Sequence, residues 1–354
     1  MIGHSKQSRN RTVSIIIVNF NGGTLLRDAV AAALSSSISV ELLISDNGST
    51  DGSLNAIYQD FGKDPRVQII SNGSNLGFSR ANNIALKQAK GSYLLLLNPD
   101  CIIQPDTLSE LLDVMDTNPD VGMAGCLIHN PDGSEQAGCR RAVPTPWRSV
   151  VRVLHLNKIF PHHPRFRTFL LHQEPLPTTP QPVEAISGAF MMVRRRAMDQ
   201  VGPLDENYFM HCEDIDWCLR FREAGWKIYF VPNVDVLHYK GACSKDRPIR
   251  VYYHMHRSMI YFYRKFFGKN YPSPLITLVT GAAWMRFIML TARELIKRPF
   301  RWVSNKRIVT APPLAYERRQ PAPVVAYIGP NRRVNAQDSQ TDINTPPAPT
   351  KRLL

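Results

Sequence analysis

"LLLLNPD", Leu94 to Asp100, sets four leucines directly before an amide, a proline and a carboxylate. A continuous apolar run bounded by turn residues reads as a strand buried on both faces, the kind found in parallel sheets. Charged side chains are rarely buried without a partner, so Asp100 predicts the mouth of a cleft, or a turn, at the end of that strand.

Working outward, the run belongs to a series: "VSIIIVN", a helix over about 24–34, "VELLISD", a short helix near Leu54, "VQII", a helix over about 79–89, then "YLLLL". Short β-branched strands alternating with helices predict an α/β fold, a Rossmann-like, mostly parallel sheet covered on both faces. Each strand is followed by polar or glycine-rich residues: "NGG", "DNGSTDGS", "SNGSNLGFSRANN" and "NPD". In open α/β sheets ligands bind at the carboxyl ends of the strands, so these segments point to one site.

Beyond Asp106 the spacing of Leu108, Leu111, Leu112 and Met115 predicts a helix, followed by a strand in "VGMAGCLI". Residues 129–182, rich in Pro, His and Arg, read as a long irregular loop. Order returns with a strand in "VEAISGAFMMVRR", a helix in "EDIDWCLRFREAG" whose acidic first turn suits the helix dipole, and a strand in "WKIYFV". Residues 250–267 are aromatic and basic, and 275–296 are apolar with Arg286 near the middle. A spanning helix needs roughly 20 apolar residues; the internal arginine favours a helix lying in the membrane interface. The division expected is a basic arm at 1–12, a catalytic domain at 13–245, a C-terminal helical extension at 246–300 and a disordered tail at 311–354.

The 354 residues suit one large domain with appendages, and the net charge of +14 predicts an anionic partner. The six cysteines form no C-x-x-C pair, which predicts reduced thiols and a cytosolic compartment. The apolar run at Val13–Val18 is short for a signal-peptide core.

Four motifs carry chemistry, each beside a plainer reading. In "SDNGSTDGS", Asp46 can take the imide N–H of a uracil or thymine, while Asn47 and the small residues let the chain pass a ribose; the plain reading is an Asx turn. In "NPD", Asp100 can ligate Mg2+ or Mn2+ bridging nucleotide phosphates, or simply cap the following helix. "HCEDIDW" crowds Glu213, Asp214 and Asp216 together, as a dipole-stabilised helix start or as a general base at Asp214. His238 in "VLHYK" is an ordinary surface or core imidazole, or completes a metal shell beside Asp100.

The order of "SIIIVNFNG", "ISDNGSTDGS", "NLGFSRANNIAL", "YLLLLNPD" and "SGAFMMVRRRAMDQVGPLDENYFMHCEDIDW…VDVLH" resembles glycosyltransferase family 2, of GT-A fold, over roughly Val13 to His238. More closely it is similar to bacterial rhamnosyltransferases of cell-envelope polysaccharide synthesis. The resemblance implies that Asp46 holds the base of a nucleotide-diphosphate sugar, with Asn19, Asn21, Asn47 and Ser49 around it. It implies that Asn75, Gly77, Phe78, Arg80 and Asn83 line the nucleotide and diphosphate. Asn98 replaces the first acid of the family's D-x-D, and Asp100 matches its metal-binding last acid, with His238 as a second ligand. Asp214 stands in the position of the base beside Glu213; Gly188, Ala189 and Trp217 lie by the acceptor.

The activity implied is inverting transfer of a hexose, with L-rhamnose from dTDP-rhamnose the first choice and UDP- or GDP-linked sugars the alternative. The acceptor implied is a glycan or a polyprenyl-diphosphate glycolipid, at the inner face of the plasma membrane. A nucleotidyltransferase would want a basic phosphate loop after the first strand, and a dinucleotide oxidoreductase G-x-G-x-x-G; "NFNGG" is neither. No nucleic-acid-binding motif accompanies the charge. A non-catalytic relative is the remaining rival, favoured by Asn98 and opposed by Glu213, Asp214 and His238 together.

Overall fold

A computed structural model describes residues 11–160, 163–243 and 247–304. In chain order the elements are β1 (Val13–Asn19), α1 (Gly23–Leu34), β2 (Val40–Asp46), α2 (Ser53–Phe61), β3 (Val67–Ser71), α3 (Phe78–Leu86), β4 (Tyr93–Leu97), β5 (Cys101–Ile102), α4 (Thr107–Thr117) and β6 (Val121–His129). There follow β7 (Arg140–Arg141), α5 (Pro146–Val153), α6 (Leu156–Ile159), β8 (Gln181–Pro182), β9 (Ala185–Ile186), β10 (Phe190–Arg194), α7 (Arg195–Val201), α8 (Glu213–Glu223), β11 (Lys227–His238), α9 (Pro248–Phe267) and α10 (Ser273–Ser304).

Among the described residues the main sheet has the order β3-β2-β1-β4-β10-β6-β11-β5, with β8 added beside β11. It is parallel through β3, β2, β1 and β4 and again between β6 and β11. It turns antiparallel where β10 enters between β4 and β6. The leucine run is the centre of this sheet. Leu95 and Leu97 face the core under α1 and α4, and Leu94 and Leu96 face the one under α3 and α8. With both faces covered, the strand has no polar side to show, which is why it reads as an unbroken apolar run.

The short β5 positions the site. It leaves β4 through Asn98, Pro99 and Asp100 and pairs antiparallel with the end of β11, His238 opposite Cys101. The Tyr239 N–H donates to the Asp100 carbonyl at 2.9 Å, so the two expected metal ligands arrive on adjacent strands.

Three expectations are corrected. Residues 129–182 are not structureless: they carry β7, α5 capped by the Thr145 hydroxyl, α6 and a β-bridge at His129–Glu135. The strand expected across 183–195 breaks at Ser187–Ala189, with β9 pairing β7 in a separate ribbon and β10 in the main sheet. The final strand runs on to His238 by way of an irregularity between Val231 and Asp235. Most of the arm at 1–12 and all of the tail at 311–354 lie outside the described residues.

Helix α9 is anchored to the sheet domain: Phe262 and Tyr263 pack with Val143, Tyr208 and Ile215. Lys265 binds Asp205 and the fully buried Asp216, each at 2.6 Å. Residues Ser273–Ile296 of α10 are long and apolar enough to cross a membrane by length and composition, and within that stretch Ala283 alone is buried. Arg286, within it, donates to Nε2 of the buried His256 at 3.2 Å, while Nδ1–H of that ring donates to the Tyr252 carbonyl at 2.7 Å.

Candidate active site

The loop after β2 is built around Asp46. One oxygen accepts from Asn19 Nδ2 at 2.8 Å and Ser49 Oγ at 2.6 Å, and the other from the N–H groups of Gly48 and Ser49 at 3.0 and 3.1 Å. With both oxygens engaged and 2 % of the residue exposed, Asp46 shapes this loop. Asn21 joins it through its backbone N–H, which donates to Ser49 Oγ, and its side-chain Oδ1, which accepts the Thr50 N–H. Asn47 donates to the Gly77 carbonyl at 3.2 Å, and Asn75 accepts from the Gly77 N–H at 3.0 Å. The residues expected on the nucleotide side thus form one polar network across the ends of β1, β2 and β3.

That network is clamped to the segment preceding α8. Phe78 N–H donates to Phe209 O at 2.7 Å, and Gly77, at φ +86°, lies so close that a Cβ would stand 2.5 Å from the same oxygen. Asn83 is a correction: buried at the base of α3, its amide exchanges hydrogen bonds with the backbone of Leu204 at 2.8 and 3.1 Å. It holds two loops together, with its polar atoms turned into the protein. Arg80 remains exposed, 3.8 Å from Glu206.

Asp100 and His238 meet at 3.1 Å, Oδ1 to Nε2, and both are almost fully buried. The tautomer follows from the neighbours. Gln136 Nε2 donates to Asn130 Oδ1 at 2.9 Å, leaving Oε1 to accept the Nδ1–H of His238 at 2.7 Å. The Nε2 lone pair therefore faces a carboxylate oxygen, with Asn98 Nδ2 at 3.3 Å. Imidazole with carboxylate is a suitable donor pair for Mg2+ or Mn2+. Among the described residues no third His, Cys, Asp or Glu joins them.

The acidic cluster divides by role. His211 and Cys212 hold left-handed φ of 67° and 68° immediately before α8, a strained entry of the sort that over-determined functional segments retain. Asp216 turns inward to Arg220 and Lys265. Asp214 turns towards Gly188, whose N–H donates to its Oδ2 at 3.0 Å, and forms an ion pair with Arg141 through that same oxygen. A Cβ on residue 188 would stand 3.2 Å from the Asp214 Cβ, so a side chain there would press on the carboxylate's position. Oδ1 accepts the Ile215 N–H at 2.8 Å and keeps a second lone pair.

Burial is the largest influence on the Asp214 carboxyl and pushes it up, but the Arg141 charge and the hydrogen bonds from Arg141, Gly188 and Ile215 together carry it below the usual range. Burial, then the charge of Asp214, raises Glu213 instead. Glu213 Oε2 is buried with no hydrogen-bond partner among the described residues, so the neutral acid is its favoured form. Neighbouring carboxylates with opposite shifts are a recognised signature of acid–base sites.

Ala189 lies at the site because its carbonyl accepts the Asn98 N–H at 3.0 Å. Trp217 does not. It is fully buried in the core beside Phe221, its indole N–H donates to Gly202 O at 2.9 Å, and no face remains for a sugar. Arg141 and Gln136, which hold Asp214 and His238, were absent from the sequence reading, because both lie in the irregular segment after β6.

A family description, "Glycosyl transferase family 2", matches residues 14–202, more than half of the chain. The chain is also 30% identical to an N-acetylglucosaminyl-diphospho-decaprenol L-rhamnosyltransferase of Mycobacterium tuberculosis over 79% of its own length and 93% of that protein. The chain belongs to glycosyltransferase family 2. Another relative is a rhamnosyltransferase of Escherichia coli, 29% identical over 47% of this chain and 62% of that one. Among solved structures, a mannosyltransferase from Pyrobaculum calidifontis in complex with GDP-Man and Mn2+ superimposes with a TM-score of 0.50 at 17% identity, covering 85% of this chain and 82% of that one. GalNAc-T7 with UDP, GalNAc and Mn2+ gives 0.50 at 19% identity over 65% and 44%. The GT-A fold and hexosyltransferase activity expected of a family 2 member are therefore established.

Proposed function

We propose that the protein is an inverting rhamnosyltransferase that moves L-rhamnose from dTDP-rhamnose to a hydroxyl of a polyprenyl-diphosphate-linked N-acetylglucosamine in cell-envelope polysaccharide synthesis. The similarity along most of both chains to the mycobacterial diphospho-decaprenol L-rhamnosyltransferase supports the sugar and the acceptor. The observation that carries the chemistry is Asp214, ionised by its environment, with one lone pair of Oδ1 uncommitted.

In this reading the network of Asn19, Asn21, Asp46, Asn47, Ser49, Asn75 and Gly77 receives the nucleotide, with Phe78, Arg80 and Asn98 on the diphosphate side. The acceptor hydroxyl lies beside Gly188 and Ala189 and gives its proton to Asp214 Oδ1 as its oxygen bonds to the anomeric carbon. The bond from that carbon to the nucleotide diphosphate breaks on the opposite face, so the configuration inverts. Asp214 is a weak base by its pKa, and placement supplies its contribution, as the proton becomes acidic only while the new bond forms. Glu213, neutral beside it, adds no competing negative charge. Asp100 and His238 would hold a divalent cation, which supplies charge neutralisation for the departing diphosphate. Mn2+ in the two solved relatives supports a divalent ion.

The exposed apolar stretch of α10 supports peripheral attachment at the cytoplasmic face of the plasma membrane. The test is a transfer assay with dTDP-, UDP- and GDP-sugars and a polyprenyl-diphosphate N-acetylglucosamine acceptor. Turnover of dTDP-rhamnose above the others is expected, and preference for a UDP- or GDP-sugar would overturn the donor assignment.

A further inference from the structure

A series of cations leads away from the Arg141–Asp214 pair, and three of them, Lys240, Arg152 and Arg286, have no role in the chemistry above. Lys240 lies within electrostatic reach of Arg141 and Arg152, and Arg152 within reach of Arg286 on α10. His172 faces Arg152 and Lys240 from the segment that bridges to Arg141 through Leu170. Of the acids, Asp214 is already engaged by Arg141, and Glu135 by Arg140. Among the described residues no carboxylate pairs with Lys240, Arg152 or Arg286. Two buried nitrogens of these residues, Arg141 Nε and His172 Nδ1, have no hydrogen-bond partner among the described residues. Like charges gathered around unsatisfied polar atoms cost stability unless an anion completes the set.

The surroundings indicate what carries that anion. Arg152, Lys240 and Arg286 are exposed, and Met285, Ile288 and Met289 stand out to solvent beside Arg286. Leu154, Ile159 and Phe160 do the same just beyond Arg152. A soluble phosphate would have no use for apolar flanks, whereas a phosphorylated lipid would place its headgroup on the cations and its chain along them.

We propose that Arg141, Arg152, Lys240 and Arg286 form the subsite for the diphosphate of a lipid-linked acceptor, next to Asp214 and distinct from the Asp100–His238 pair that serves the donor. This rests on the lipid-acceptor reading above and assigns it to residues. A diphosphate held there sets the depth at which the first sugar meets Asp214, so specificity for a diphosphate over a monophosphate follows.

The test is flotation of the full chain with phosphatidylcholine vesicles containing geranylgeranyl diphosphate, geranylgeranyl monophosphate, or phosphatidylglycerol at matched charge. The wild type is expected to favour the diphosphate vesicles. The pair Arg152→Gln and Arg286→Gln is expected to lose that preference by about tenfold per arginine, the value of one charge-assisted hydrogen bond. Arg152→Lys restores part of it, and thermal melts of every variant separate this loss from unfolding. Equal binding to phosphatidylglycerol vesicles, or an unaltered preference in the double variant, would overturn the proposal. Inorganic pyrophosphate binding as tightly as the lipid would assign the cluster to a soluble diphosphate and overturn it too. Because no sugar donor is present, the outcome is independent of the donor panel, which can fail or succeed separately.

Discussion

Arg141 and Asp214 form an ion pair that reaches from the short β7 to the first turn of α8, and Gly188 closes it from the third side. The pair fixes the carboxylate's direction and keeps it ionised, at the expense of basicity. It follows that Arg141→Gln leaves burial to act on Asp214 with less opposition, and its pKa rises. The acid limb of the pH–rate profile should move to higher pH, with kcat reduced more than the donor KM. An acid limb that stays in place would show that Arg141 does not set the charge of Asp214.

Gln136 holds the tautomer of His238, and second partners of this kind are worth about 10- to 100-fold in metal affinity. Gln136→Leu should weaken Mn2+ binding by that range, read by titration of the paramagnetic ion in the presence of donor nucleotide. Unchanged Mn2+ affinity would remove His238 from the metal site.

Lys265 ties α9 to Asp205 and to the fully buried Asp216. Lys265→Met leaves Asp216 with Arg220 alone. Breaking a buried pair costs about 3–5 kcal/mol; the Lys265 side chain is 28% exposed, so the lower end applies. A chemical denaturation midpoint within error of wild type would contradict this account of how α9 is anchored.

His256 accepts from Arg286 and is held neutral chiefly by burial, with the Arg286 charge adding to the effect and the bond to Tyr252 opposing it. Its folded pKa lies below the usual histidine value, so the stabilisation is complete above that value and is lost as pH falls through the folded one. The melting temperature should decline from about pH 7 to about pH 5, and less steeply in His256→Gln. Parallel slopes would place the acid sensitivity elsewhere.

The sheet was legible because Leu94–Leu97 and its companion strands are buried on both faces, and burial of that kind writes an uninterrupted apolar run. The ends of those runs gave Asp46, Asp100 and His238, since a polar residue after a buried strand has few places to go. Trp217 was misread for a related reason. It sits among acids, yet Asp216 beside it is also buried, paired with Arg220 and Lys265, so that helix face is a core face despite its charge. Arg141 and Gln136 escaped notice because their partners are far away in the chain, 73 and 102 residues distant. Such contacts leave no periodic trace.

The most direct test of the central claim, that Asp214 drives a single displacement at the anomeric carbon, is the anomeric configuration of the transferred sugar, read by NMR of the isolated product. The account predicts inversion relative to the donor, with transfer reduced about 10²- to 10⁴-fold in Asp214→Asn, the usual worth of a positioned base. Retention of configuration would contradict it.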